Sequence, residues 1–282
     1  MKTVGVIGGG FGVYGYIPAC AELGNVKALT LEKNEEKLLS RPELRKLHSN
    51  IRYVETEKQL IEESDIIVLV RRPFDNEALV KVINAKKLII EKPIAQTPQK
   101  AIELYKLAES QSNDVYSGFI LRYLPWYEKV MEIKQGFIKI SWGIQKNNAH
   151  DSWKYCNDHG GGLLAFYGIH LLNLVAQMNV KLITANVDKI ESSLNISFED
   201  TERQLDICIF YSSQPSFSVF CDSRIVIFSA ASPFGDTPKG GELDVRIEFL
   251  QQLLRDVLLN NNQQMISETI NLWGLVMKKI NT

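Results

Sequence analysis

The chain has 282 residues, enough for two domains of ordinary size that each bury a core. Its 32 Lys and Arg nearly balance its 33 Asp and Glu, so no net charge attracts it to nucleic acid or to an anionic membrane surface. No stretch approaches the ~20 apolar residues of a membrane span, and the N-terminus lacks the features of a signal peptide. We therefore expect a cytoplasmic protein that binds a small molecule.

The four cysteines are scattered along the chain without the spacing of a zinc site. Because thiols stay reduced inside the cell, we predict free thiols, no disulfide and no bound metal. The residues are Cys20, Cys156, Cys208 and Cys221.

Short apolar runs alternate with helical segments over residues 1–118. Continuous β-branched runs of this kind are typical of parallel strands that are buried on both faces. The predicted strands are Val4 to Ile7, Val26 to Leu31, Ile51 to Val54, Asp65 to Val70 and Leu88 to Ile90. Four helices are predicted. They are Tyr14 to Leu23, a charged helix that begins with Asn34 as its N-cap, Lys58 to Glu63, and Asn76 to Asn84. This alternation predicts an α/β domain with a doubly wound parallel sheet, a Rossmann domain.

From about Phe119 the pattern changes to longer strands, several of which alternate apolar with polar residues. Such alternation is typical of an antiparallel sheet with one exposed face. The predicted strands are Phe137 to Gln145, Leu182 to Ser192, Arg203 to Ser212 and Phe217 to Phe228. The predicted helices are Pro125 to Lys134, Leu163 to Met178, Asp244 to Leu259 and one at the end of the chain. Residues 119–282 are therefore predicted to form an α+β domain.

A glycine-rich turn joins the first strand to the first helix. A helix N-terminus has unpaired amides and partial positive charge, so a phosphate binds there if no side chain obstructs the backbone. Gly8 allows the turn and Gly10 allows the approach, while the third glycine stands at Gly12, one residue earlier than the usual spacing. The turn predicts a site for the pyrophosphate of NAD or NADP. A glycine-rich hairpin is the alternative.

Glu32 ends the second predicted strand. A carboxylate at this position can accept the ribose hydroxyls of NAD and repel the 2′-phosphate of NADP. Lys33 can instead accept that phosphate, and Glu32 can simply be a solvated residue. The sequence therefore favours NAD over NADP but does not decide between the two cofactors.

Glu91-Lys92-Pro93-Ile94-Ala95 follows the fifth strand directly, at the carboxyl edge where ligands of such folds bind. Together with the glycine turn, this segment resembles the Gfo/Idh/MocA family of sugar and polyol oxidoreductases, in a branch with a G-x-G-F-G turn. Further stretches resemble the family in the same order: Phe119 with Arg122 and Pro125, Gly160 to His170, and Asp244-Val245-Arg246.

The resemblance implies a nicotinamide domain, followed by a domain with an open, mostly antiparallel sheet that binds substrate and supports a homodimer or homotetramer. It implies an NAD(P)-dependent dehydrogenase or reductase acting on the CH-OH group of a sugar, nucleotide sugar or related polyol. It assigns Lys92 as catalytic base and His170 as a partner at the same oxygen. It places Arg122 and Trp153 at the substrate. The residues implied at the cofactor are Gly8, Gly10, Phe11, Gly12, Glu32, Arg72, Pro73 and Glu91.

The sequence departs from the family pattern at several positions. Phe166 stands where the family has an aspartate, and Asp151 and Asp158 are candidates for a compensating acid. Arg71 and Arg72 precede Pro73, where two cations suit an anionic ligand or obstruct the nicotinamide. Alternative interpretations are that Lys92 forms a salt bridge and that His170 is a core or helix-capping residue. Four aromatic residues can stack on a sugar ring or simply pack: Tyr123, Trp126, Trp153 and Tyr155.

These departures keep two other functions open. One is an NAD(P)-binding regulator or partner subunit without redox turnover, which the loss of the aspartate favours. The other is a lyase or glycoside hydrolase that uses bound NAD transiently, which would also need a base such as Lys92.

Overall fold

The computed structural model describes residues 1–84, 87–112, 114–146, 152–188, 192–222, 225–236, 242–261 and 264–282. The chain forms two compact units. The first contains residues 1–95 and 103–120 with the described part of 238–264, and the second contains residues 96–102, 121–237 and 265–282 as far as they are described. The units thus differ from the predicted division at 118/119, because residues near the C-terminus return to the first unit.

The first unit is built on a six-stranded parallel sheet. Its strands are β1 Lys2–Ile7, β2 Val26–Leu31, β3 Ile51–Val54, β4 Ile66–Leu69, β5 Lys87–Ile90 and β6 Asp114–Ser117. They lie in the order β3-β2-β1-β4-β5-β6, and neighbouring strands run parallel. The chain progresses in opposite directions from β1, which creates a crevice at the carboxyl edge of the sheet. This is the doubly wound sheet that the sequence predicts.

Helices connect these strands, and the short apolar runs are buried between them. Val6 in β1, Val68 in β4 and Ile89 in β5 have no exposed surface. The helix after β1 begins with a π-helical turn, Gly12–Tyr16, that continues into α1. The helices are α1 Ile17–Leu23, α2 Glu35–Leu39, α3 Pro42–Arg45, α4 Glu57–Glu62, α5 Asn76–Val80 and α6 Pro98–Gln111.

The second unit is built on a six-stranded mixed sheet. Its strands are β7 Gly136–Gln145, β8 Lys181–Val187, β9 Ser193–Glu199, β10 Arg203–Ser212, β11 Ser216–Cys221 and β12 Ile225–Ala230. The order is β12-β11-β7-β10-β9-β8; β7 and β10 run parallel, and the other neighbours run antiparallel. In β10, Leu205, Ile207 and Ile209 are buried while the alternate residues are partly exposed. The mostly antiparallel sheet with one exposed face is confirmed.

The remaining helices are α7 Pro125–Glu132, α8 Ile169–Met178, α9 Ile247–Leu258 and α10 Ile266–Ile280. In the second unit α10 packs against α8 and β8. A buried hydrogen bond from the amide of Asn173 to the hydroxyl of Thr269, 3.0 Å long, joins α8 to α10. Within the described ranges, no helix is both long enough and apolar enough to cross a membrane.

Helix α9 belongs to the first unit because it packs against α1 and because two polar contacts fasten its surroundings to the sheet. The ammonium of Lys87 in β5 donates to the carbonyl of Val257 and to the side chain of Asn260. The buried side chain of Gln264 accepts from the backbone nitrogen of Ser117 at 2.5 Å and donates to its carbonyl at 2.7 Å. Gln264 thereby pairs with the edge strand β6 as a neighbouring strand would.

Three local predictions were wrong. The predicted strand from Phe217 to Phe228 is a hairpin, because Asp222 takes a left-handed φ of 50° and ends β11. The predicted strand from Leu182 stops at Val187, and Asp188, the next residue, accepts a hydrogen bond from the backbone of Ser192. Residues 189–191 of that prediction lie outside the described residues. Asn34 makes no capping bond to the helix that follows it.

Candidate active site

Gly8, Gly10 and Gly12 of the turn after β1 have different structural roles. A Cβ atom on Gly8 would lie 2.3 Å from the carbonyl oxygen of Val70, so only glycine fits. A Cβ on Gly12 would lie 3.2 Å from Val6, which shows how closely the helix approaches the strand. A Cβ on Gly10 would meet no atom within 4 Å, and Gly10 is exposed. Gly10 therefore leaves open space before a helix N-terminus, which is the cradle a pyrophosphate needs.

Phe11 has the large side chain of the glycine turn, and its ring contacts a cation that is distant in sequence. Its ring covers Gly15, where a Cβ would come within 2.4 Å of the ring, and meets Tyr16 edge-on with 5.6 Å between centroids. The guanidinium of Arg246 lies 4.1 Å from the Phe11 centroid. Arg246 in turn donates two hydrogen bonds to the carboxylate of Asp244, at 2.8 and 2.6 Å. The Asp244-Val245-Arg246 motif thus fastens the start of α9 to the glycine turn.

Glu32 is exposed directly after β2 and forms no ion pair in the described part of the chain. Two residues later, buried Asn34 donates from its amide to the carbonyl of Gly8 at 3.3 Å and to the hydroxyl of Thr30 at 3.0 Å. These bonds tie the end of β2 to the glycine turn, which explains why Asn34 does not cap a helix. The arrangement leaves the Glu32 carboxylate exposed at the same edge as Gly10.

Glu91 lies buried at the end of β5. Its carboxylate accepts a hydrogen bond from the hydroxyl of Tyr16 at 2.8 Å and one from the backbone nitrogen of Lys92 at 3.1 Å. A Cβ on Gly118 would lie 1.9 Å from the carboxylate, so glycine at that position makes room for it. Burial raises the pKa of Glu91 above its usual value, while the charge of Lys92, the Tyr16 hydroxyl and the charge of Arg246 oppose that rise.

Lys92 is half-buried and follows Glu91 at the same edge of the sheet as the glycine turn. The peptide bond between Lys92 and Pro93 is cis, and Pro93 is buried. The carbonyl of Ile94 accepts a hydrogen bond of 2.8 Å from the side chain of Asn76, which opens α5. The segment is therefore held on each side of Lys92, and the ammonium lies within the electrostatic influence of buried Glu91.

The two arginines after β4 are each held by an acid of the same unit. Arg71 pairs with Glu57, and Arg72 donates to Asp75 at 3.0 Å. Pro73 is buried and opens the short turn Pro73–Asp75. The cations at 71 and 72 are thus already matched by carboxylates, and they give no support to an anionic ligand at this position.

The glycines before α8 allow two segments of the second unit to lie very close together. A Cβ on Gly161 would lie 2.1 Å from the carbonyl oxygen of Trp153. Gly162 has a left-handed φ of 80°, and a Cβ there would lie 1.8 Å from the side-chain oxygen of Asn157. The triple glycine therefore has a packing role: it lets residues 152–159 cover the π-helical turn Leu163–Gly168 that precedes α8.

Phe166 is part of an aromatic cluster in the second unit. Its ring meets Trp153 edge-on at 5.4 Å and Tyr167 edge-on at 4.9 Å between centroids. The ammonium of Lys154 lies 5.4 Å from the Phe166 centroid. An apolar ring contact has thus replaced the acid that the resemblance leads one to expect, and Trp153 packs against the replacing residue.

The other predicted site residues of this unit lie in different surroundings. His170 is buried in the first turn of α8, with 5 % of its surface exposed. Half-buried Arg122 lies 5.6 Å from the ring of Tyr123, and its charge opposes the burial that raises the pKa of Tyr127 to about 12. Trp126 is a core residue that donates to a backbone carbonyl at 2.9 Å. Asp158 is exposed, and Asp151 lies outside the described residues.

Tyr16 and Gly118 were not predicted as site residues, although they surround Glu91. A signal existed for Gly118, because it directly follows a strand at the carboxyl edge, as Gly8 does. No pattern pointed to Tyr16, which contacts Glu91 because the π-helical turn directs its hydroxyl toward the end of β5.

Residues 2–119 match the model of the oxidoreductase family Gfo/Idh/MocA, described as an NAD-binding Rossmann fold. A curated relative, an uncharacterized oxidoreductase of Synechocystis sp., is 26 % identical over 182 residues, which are 60 % of this chain and 48 % of that protein. The match thus spans about half the length of this relative.

Solved structures of the same fold cover nearly the whole chain. The WlbA (WbpB) dehydrogenase of Thermus thermophilus, in complex with NAD and UDP-GlcNAcA, superposes with a TM-score of 0.68 at 15 % identity, covering 98 % of this chain and 94 % of that one. A myo-inositol dehydrogenase of Corynebacterium glutamicum gives 0.71 at 12 %, covering 100 % and 97 %. A Gfo/Idh/MocA family oxidoreductase of Vibrio cholerae gives 0.71 at 14 %, covering 100 % of each chain. At such identities the likeness establishes the fold.

Proposed function

We propose that this chain, whose residues 2–119 belong to the Gfo/Idh/MocA oxidoreductase family, transfers a hydride between NAD and the CH-OH group of a sugar, nucleotide sugar or related polyol. The observation that carries the proposal is the placement of Glu91 and Lys92 at the same sheet edge as the open space above Gly10. A titratable amine and a dinucleotide cradle at one edge are the parts that alcohol oxidation needs.

The glycine turn fits the cofactor because the backbone before the helix is unobstructed at Gly10. Glu32, exposed at the end of β2, would accept the ribose hydroxyls. Phe11, Arg72, Pro73 and Glu91 would border the remainder of the dinucleotide. NAD, when bound, supplies the acceptor for the hydride.

In the proposed reaction the neutral amine of Lys92 accepts the hydroxyl proton of the substrate and becomes the ammonium. Glu91 positions the backbone of Lys92, because its buried carboxylate accepts hydrogen bonds from the Tyr16 hydroxyl and from the backbone nitrogen of Lys92. We assign His170 as a second proton-handling group and Arg122 as a substrate-binding residue.

The aromatic cluster of the second unit supports a sugar derivative that carries negative charge. Trp153 and Tyr211 offer rings suited to stacking on a sugar. The ammonium of Lys154 lies 5.4 Å from the ring of Phe166, and that of Lys146 lies 5.1 Å from the ring of Tyr211. Cations beside rings suit a nucleotide sugar, and the similar dehydrogenase of Thermus thermophilus was crystallised with one.

One observation favours a second candidate, a cofactor-binding protein without redox turnover. Phe166 occupies an acid position of the family and is fixed between Trp153 and Tyr167. Such a protein would bind NAD as tightly as an enzyme and change no substrate.

The test is to measure NAD(H) binding to the purified protein and then absorbance at the reduced-nicotinamide band with a panel of sugars, polyols and nucleotide sugars. Reduction of NAD by at least one member supports the oxidoreductase. Tight binding of NAD(H) with no absorbance change across the panel supports the second candidate instead.

We further propose that a second copy of the chain covers the exposed face of the second sheet in a homodimer or homotetramer. Asp206 and Cys208 of β10 belong to that face and are partly exposed. Light scattering at two concentrations measures the mass directly. The cytoplasmic location expected from the composition stays a prediction.

A further inference from the structure

Charged side chains that follow three strands, β2 and β3 on one side of β1 and β4 on the other, meet at the carboxyl edge of the parallel sheet. Lys33 follows β2, Glu57 opens α4 after β3, and Arg71 follows β4. The order β3-β2-β1-β4 places these strand ends beside the glycine turn after β1. In a Rossmann domain this side of the crevice receives the adenosine half of the dinucleotide, next to the acid at the end of β2. The three charges are therefore neighbours of the ribose position that Glu32 marks.

Glu57 links the two cations. One oxygen of its carboxylate lies 3.8 Å from the ammonium of Lys33 and also pairs with the guanidinium of Arg71. The hydroxyl of Thr56 accepts from the backbone nitrogen of Gln59 at 3.1 Å and caps α4, which fixes Glu57 as the first residue of the helix. The side chains of Glu57 and Arg71 are 32 % and 28 % exposed, so they remain within reach of a ligand.

The pairing has a consequence for cofactor choice. NADP differs from NAD by a 2′-phosphate that carries a charge of about −2 and needs cationic donors. Lys33 and Arg71 are cations at the right edge, but one carboxylate holds them, and Glu32 adds a second negative charge beside Lys33. With Glu57 ionised, a phosphate would have to compete for both cations.

We infer that Glu57 is a specificity-determining residue that favours NAD over NADP by holding Lys33 and Arg71 in ion pairs. This inference rests on the proposed function, because it requires a dinucleotide at the glycine turn. Glu57 acts through the two cations and need not touch the cofactor.

The experiment measures dissociation constants of NAD and NADP by calorimetry, for the wild type and Glu57→Gln. The variant releases Lys33 and Arg71 without changing the size of the side chain. We expect NADP to bind about tenfold tighter, as one charge-assisted contact to phosphate would give, and NAD to change less than threefold. Glu57→Asp keeps the charge and should retain the wild-type ratio of the two constants.

Glu63→Gln is the matched control. Glu63 follows α4 at its other end and pairs with Arg52 at 2.6 Å, with a similar exposure of 29 %. The control changes the net charge by the same amount, yet it should leave the ratio of NAD to NADP binding unchanged. It thereby separates a local effect of Glu57 from the general attraction of an anion to a less acidic protein.

The outcomes are distinguishable. If the wild type binds NAD and Glu57→Gln leaves the ratio unchanged, or shifts it no more than Glu63→Gln does, the inference is overturned while the proposed function stands. If neither the wild type nor the variant binds any dinucleotide, the proposed function is overturned and the inference with it. A rise in the preference for NADP that occurs in Glu57→Gln and not in Glu63→Gln supports both the inference and the proposed function.

Discussion

The guanidinium of Arg246 lies 4.1 Å from the ring centroid of Phe11, although Phe11 belongs to the first sequence segment of the first unit and Arg246 to its last. Asp244 fixes that guanidinium with two hydrogen bonds. Burial disfavours the charged form of Asp244, but the hydrogen bonds and charge of Arg246 outweigh it and lower the pKa of the carboxyl below its usual value. The start of α9 is thus part of the glycine turn's environment.

We expect Arg246→Ala to weaken NAD binding by about tenfold, because the stacked cation and its ion pair are worth about 1–2 kcal/mol to the order of the turn. Titration of NAD measures the effect. Arg255→Ala serves as control, since Arg255 is exposed on the same helix and should leave the affinity unchanged. Equal affinities in the two variants would contradict the role of Arg246.

Gly10→Ala separates folding from cofactor binding. The added methyl group meets no atom of the protein within 4 Å, so we expect the free energy of unfolding to change by less than about 1 kcal/mol. The same methyl group occupies the phosphate cradle and should weaken NAD binding by at least tenfold.

Gly274→Ala in α10 is the matched control, because its Cβ would make only an ordinary contact of 3.5 Å. Denaturation and NAD titration of both variants check the prediction. Unchanged NAD binding in Gly10→Ala would remove the glycine turn as the pyrophosphate site.

Glu91 should make stability depend on pH. An acid whose pKa is raised by folding binds more protons in the folded than in the unfolded chain, so stability falls as pH rises. The decline starts near the ordinary value of 4.5 and ends above the raised value. A side-chain amide does not titrate, so Glu91→Gln should gain stability relative to the wild type across that interval. Chemical denaturation at a series of pH values measures the difference, and parallel curves would show that Glu91 is not perturbed.

Phe166→Asp tests whether the missing acid limits the chemistry. The substitution removes ring contacts with Trp153 and Tyr167, which should lower stability by about 1–3 kcal/mol. We expect turnover of at least one sugar or nucleotide sugar to rise above that of Phe166→Ala, which loses the same contacts without gaining a carboxylate. Equal turnover in the Asp and Ala variants would show that the acid is not what this site lacks.

The strands β1 to β5 were predictable because they are buried on both faces and therefore consist almost wholly of apolar residues, which stand out in the sequence. The candidate site at the carboxyl edge was predicted from Gly10 and Lys92, because ligands of doubly wound sheets bind where strands end, and the roles of these residues stay a prediction. The return of residues 238–264 to the first unit was not predictable, since it depends on long-range contacts such as the one between Gln264 and Ser117. The ion pair of Arg71 was likewise beyond a sequence pattern, because its partner Glu57 lies at the start of α4.

The most direct test of the account is to measure NAD reduction and NAD affinity together in the wild type and in Lys92→Ala, with a substrate found in the panel. Lys92 follows buried Glu91 at the edge of the cofactor crevice and is assigned the role of base. The account predicts that Lys92→Ala abolishes turnover while the dissociation constant of NAD changes by no more than a few-fold. Turnover in Lys92→Ala equal to that of the wild type would contradict it.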